Sequence, residues 1–215
     1  MGFGEPQTGQ RTTYVNIVGG KLAIKAKEGE QGAVSRTNKN NIEVWEKMYP
    51  SLTGALVGVE CSENAKIGAM EYVINLDDVG TAYRLSIPQD SKYGDSFADK
   101  LLNLKIGSIY SFIPYDFEDK ETKKKRTGIT ICENSPKGNK IPSCYSKENP
   151  QDKPQPKEVM KTNDWKRFNI DLRDFYQSAV DKFNAENARP KGSQQQSSNI
   201  DDAIGKANEP QDMPF

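Results

Sequence analysis

The chain has no histidine in its 215 residues, and that absence removes much ordinary enzymology. No Ser-His or Cys-His nucleophile pair can be assembled, and no side chain offers an unperturbed pKa near neutrality for general-base work. Cysteine is also scarce: Cys61, Cys132 and Cys144 form no CxxC pair, which together with the missing histidine argues against the usual zinc sites. The three thiols read as reduced, buried or half-buried groups of an intracellular protein. No GxxxxGK[ST] or GxGxxG run occurs, so the commonest phosphate cradles are missing. No apolar run approaches the roughly 20 residues of a membrane span, and the polar stretch Met1–Thr13 lacks the apolar segment of a signal peptide. Of the adjacent carboxylates, Asp77-Asp78 reads as a turn and Asp201-Asp202 falls in a polar tail. The expectation is a soluble, cytoplasmic chain that is not an enzyme and uses no metal and no cofactor.

Hydrophobic residues make up only 34% of the chain and the mean hydropathy is −0.80, so part of it has no core to join. Thirty bases balance 30 acids, but unevenly. Ser197–Phe215 holds four acids against one base, a net of −3, which leaves +3 on the preceding residues. A mildly basic body with an acidic tail suits a protein that touches polyanions.

Tyr14–Val18 and Lys21–Lys27 flank Gly19-Gly20 and read as a β-hairpin, with Lys21, Lys25 and Lys27 on one face. A short strand is expected at Ala33–Thr37, and Ile42–Met48 carries Trp45 just before Tyr49. Strands then follow at Leu52–Glu60, Met70–Leu76 and Ala82–Ile87. A helix over Ser96–Lys105, with Ser96 as a possible cap, precedes strands at Ile109–Phe117 and Arg126–Cys132. This β-β-β-α-β-β order resembles the OB-fold, a five-stranded barrel with its helix between strands three and four. The expected fold is mainly β: a five-stranded OB-like barrel over about Leu52–Cys132 with the hairpin as an extension. An SH3-like barrel or a mixed β-sandwich fits the same strands. A proline-bearing linker spans 133–163. Trp165, Phe168, Leu172, Phe175, Ala179 and Phe183 then recur at helical spacing, predicting an amphipathic helix over 164–187. Its stripe packs on the barrel or forms a homodimer or partner surface. The first 187 residues read as one domain and 188–215 as a disordered interaction tail.

Single-strand binding needs a cationic groove and exposed rings for stacking, each stack worth about 1–3 kcal/mol. Candidate rings are Trp45, Tyr49, Tyr110 and Phe112, the last two assigned outward because Ile109 and Ile113 suit a core better. Candidate cations are Arg84, the loop run Lys123, Lys124, Lys125 and Arg126, and the hairpin lysines Lys21, Lys25 and Lys27, with Arg36 and Lys39 adding to the field.

The chain closes on Glu209-Pro210-Gln211-Asp212-Met213-Pro214-Phe215. Carboxylates followed by Met213, Pro214 and a terminal Phe215 suit a basic-rimmed apolar pocket on another protein. This tip resembles the acidic, Phe-terminated tails of single-stranded DNA-binding proteins of bacterial and bacteriophage type, although its acidic residues are sparse. The resemblance implies sequence-independent coating of single-stranded DNA during replication, recombination or repair, with the tail recruiting replication or recombination proteins. For a phage-encoded chain the compartment would be the host cytoplasm. A structural or adaptor β-barrel, such as a virion component, and an RNA-binding OB module are the competing readings.

Overall fold

The computed structural model describes residues 12–38, 41–64, 68–145, 152–157 and 159–188. The tail residues Glu209, Asp212, Met213, Pro214 and Phe215, and Lys39, lie outside the described residues.

Gly19 and Gly20, both at positive φ (53° and 75°), turn the chain between β1 (Thr13–Val18) and β2 (Lys21–Lys25). After β3 (Val34–Thr37) and β4 (Glu43–Tyr49) come three longer strands, β5 (Leu52–Asn64), β6 (Ala69–Asp78) and β7 (Thr81–Pro88). The helix α1 (Lys92–Ala98) and a 3-10 turn at Leu101–Asn103 lead to β8 (Ile109–Glu118) and β9 (Lys125–Glu133). A long helix, α2 (Thr162–Asn187), follows. Among the described residues no helix is long and apolar enough to cross a membrane.

The nine strands among the described residues join one curled, open sheet, a half-barrel, in the order β3-β4-β2-β1-β7-β6-β5-β8-β9. The barrel is therefore not five-stranded. The N-terminal hairpin, expected as an extension, is built into the sheet: β1 pairs in parallel with β7, Val15 beside Leu85. Every other neighbouring pair is antiparallel.

One face of the sheet carries the core. Leu56, Ile74, Leu76, Leu85, Ile87, Phe112, Ile129 and Ile131 are buried there, together with Phe97 of α1 and Tyr176, Val180 and Phe183 of α2. Burying each such side chain contributes about 1.5–3 kcal/mol, and the Tyr72 and Phe97 rings meet with centroids 5.4 Å apart. The first helix starts earlier than its apolar spacing predicts. Ser91 is the cap, its Oγ accepting the Gly94 N–H at 3.0 Å, because the Lys92-Tyr93-Gly94-Asp95 turn is polar and weakly helical and so carries no periodic signal. Ser96 instead docks the helix on β9, its Oγ accepting from Ile129 N–H and donating to Ile129 C=O, each at 3.1 Å.

Candidate nucleic-acid interface

β8 decides which rings are available. Its register sets Phe112 beside Leu52 and Tyr110 beside Gly54, on the face that Ile129 and Ile131 share. The Tyr110 hydroxyl accepts the Lys105 N–H at 3.0 Å. Tyr110 is 4% exposed and Phe112 0%. Both are core residues, which overturns their assignment as the outward, stacking pair. The alternation misled because β8 lies between β5 and β9 with Ser111 also fully buried, so residues of both phases are enclosed from Tyr110 to Phe112.

The exposed ring, Phe117, belongs to the other phase at the far end of the strand, with half-buried Tyr115 beside it, its ring packed on Gly128. Tyr115 and Phe117 lie with centroids 5.8 Å apart, and Phe117 is 54% exposed. Phe117 stands directly opposite Arg126, and Tyr115 opposite Gly128. Rings and cations therefore share one hairpin end.

The loop between β8 and β9 is ordered by Asp119. Its Oδ1 accepts the Glu121 N–H at 3.1 Å and the Thr122 N–H at 2.9 Å. These bonds, Thr122's first among them, hold its carboxyl below the ordinary range. The Asp119 backbone exchanges hydrogen bonds with Lys123 and Lys124, and Lys123 takes a positive φ of 54°. Lys125 pairs with Asp116 at 3.1 Å and Arg126 with Asp119 at 3.8 Å. Lys123 and Lys124 are exposed and make no ion pair with a described residue. Five bases face four acids between Asp116 and Arg126, so the loop's net charge is only +1, with Lys123 and Lys124 projecting from it.

The β1–β2 hairpin reaches across the curl to this site. A Cβ on Gly20 would come within 2.5 Å of the Asp116 backbone N, an approach only glycine permits. The Gly20 N–H also donates to the Tyr93 hydroxyl at 3.0 Å. Exposed Lys21 follows directly, one residue from the tip that meets β8 at Asp116.

The remaining candidates lie elsewhere. Tyr14, 65% exposed, stands beside Arg84 in the β1–β7 register, with exposed Lys25 on the same face of β2. Arg84 is 3.8 Å from Glu60. Tyr49 lines a cavity of about 270 Å³ on the core side of the sheet, together with Leu22, Ile24 and Tyr83. Half-buried Trp45 shares Tyr49's face of β4. Lys27 is exposed past the end of β2, and Arg36 is held by Glu46 at 2.5 Å. Tyr14, Tyr93, Tyr115 and Phe117 are additions that sequence reasoning missed. For Phe117 a signal existed: a ring at a strand end beside a charged loop is exposed in either phase.

No protein-family model matches this chain, and neither the curated proteins nor the solved structures contain a match to it.

Proposed function

We infer that this chain binds single-stranded DNA without reading its sequence, by phosphate neutralisation and base stacking, and does no catalysis. The observation that carries the reading is the Tyr115–Phe117 ring pair beside Lys123–Arg126, with Phe117 facing Arg126 in register. Rings offer faces to any base and lysines offer charge to any phosphate, which is the combination that sequence-tolerant binding requires. The strand order supports it. Within the larger sheet β7-β6-β5-β8-β9 run side by side, with α1 between the third and fourth of these strands in sequence. That is an OB-like arrangement, in which the β8–β9 loop would border the oligonucleotide groove. Arg84, Lys25 and Tyr14 would extend the track across the sheet face. The acidic, Phe-terminated tip would recruit replication or recombination proteins in the cytoplasm.

Anisotropy of labelled oligo-deoxythymidine titrated with the full chain at several salt concentrations tests this. Binding should weaken steeply with salt, and Lys123→Ala with Lys124→Ala should reduce the logarithmic salt slope by about 1.4, or roughly 0.7 per single-strand phosphate released. Equal binding of the matching RNA would favour the RNA-binding reading. No binding at low salt would overturn nucleic-acid binding altogether and leave an adaptor role.

A further inference from the structure

A second set of rings surrounds charge of the opposite sign. The N-terminal half of α2 stands off the body over a cleft of about 350 Å³. Tyr72 lines it on the sheet side and Trp165 and Phe168 on the helix side, with Tyr176 also at its wall. Trp165 is 47% exposed, and its ring meets Phe168 edge-on at 5.9 Å. Asp90 and Asp95 contribute carboxylates, and Arg173 is the one cation of the lining.

Asp95 lies four residues before Asp99, which puts the two on neighbouring turns of the α1 surface. Asp99 shows what such a carboxylate holds. Its Oδ1 accepts from Lys153 Nζ at 2.6 Å and from the Tyr176 hydroxyl at 2.9 Å. The same ammonium lies 5.7 Å from the Tyr145 ring centre and 5.4 Å from that of Tyr176. A cation gripped between a carboxylate and ring faces is a cation–π seat, strengthened where water is displaced. Asp95 offers the same elements one turn earlier, with Tyr176 common to both. Its carboxylate makes no hydrogen bond or ion pair with any described residue. Burial pushes its pKa up, Lys153 opposing that and Asp99 adding to it, so a cation brought to it would gain a poorly solvated partner.

We propose that this cleft seats an arginine or lysine side chain from a basic segment of a partner protein, the cation on Asp95 and its stem against Trp165 and Phe168. The site is separate from the cationic hairpin end, and its carboxylates disfavour a phosphate chain.

Trp165 is its own reporter once Trp45 is replaced by Phe in the full chain. The probes are acetyl-Gly-Arg-Gly-amide and the same peptide with uncharged, isosteric citrulline. The arginine peptide should change Trp165 emission saturably. Citrulline, or Asp95→Asn, should weaken the response by at least about tenfold, the loss expected for one charge-assisted contact. Phe168→Ala, on the exposed half of the helix, should weaken it severalfold with the melting transition intact. Equal response to both peptides, no loss in Asp95→Asn, or no response at all would each overturn the proposal. The Lys123→Ala, Lys124→Ala chain should respond like its parent, which keeps this result independent of DNA binding.

Discussion

The β8–β9 hairpin end and the cleft under α2 both present aromatic rings beside charge, and they differ mainly in its sign. At the hairpin end Phe117 faces Arg126 and adjoins Lys123 and Lys124; in the cleft Trp165 and Phe168 face Asp90 and Asp95. A ring face accepts a base or a cation with similar ease. On the readings proposed above, the charged neighbours would select the partner: a polyanion at the hairpin end and a basic side chain in the cleft. The supports differ too. The hairpin rings sit on a strand pinned by β9, whereas Trp165 and Phe168 ride a stretch of α2 that precedes its first buried residue, Tyr176.

The sharpest way to break the comparison lies within β8 itself. Phe112→Ala should destabilise the fold by about 3–5 kcal/mol in urea unfolding, because that ring is wholly enclosed. Phe117→Ala should leave stability within about 0.5 kcal/mol while weakening oligo-deoxythymidine binding by about 1–3 kcal/mol. Equal stability losses in the two would abolish the distinction between the inner and outer phase.

Gly20→Ala tests whether the hairpin tip belongs to the cationic rim. The new methyl would press on the Asp116 backbone from a positive φ, costing about 1–3 kcal/mol and lowering the salt dependence of DNA binding as Lys21 withdraws.

The smallest effect belongs to the cleft. Asp95 has its folded pKa raised by burial, so its ionised form is penalised in the folded state. The stability it allows is fully present below the unfolded value of about 3.9 and is lost as pH rises through the folded value. Asp95→Asn should therefore raise the thermal midpoint slightly at neutral pH and make no difference at pH below about 3.9. A lowered midpoint at neutral pH would show that the carboxylate is already well partnered.

Strand existence was legible because the segments from Leu52 to Cys132 are rich in apolar and β-branched residues and punctuated by turns such as Val79-Gly80. The long helix was legible from its three- and four-residue steps. The sheet's extent was not. Nothing local in Thr13–Val18 tells that it pairs with Thr81–Pro88 rather than only with its hairpin mate, since register between distant strands is a tertiary choice. At the candidate site the sequence placed the cationic run at the turn between two strands, where it lies. The rings were not legible, because Tyr110, Phe112, Tyr115 and Phe117 fill both phases of one strand and only pairing to Gly54 and Leu52 separates them.

The parallel match of Val15 with Leu85 sets a timetable for making the protein. β1 has to wait until Leu85 has emerged before its second, parallel partner exists, and contacts so far apart in sequence form slowly. Until they meet, the β7 edge, with Leu85 and Ile87 still uncovered, is an open template for a neighbouring nascent chain. Crowded synthesis is thus a condition that exposes this edge to clumping.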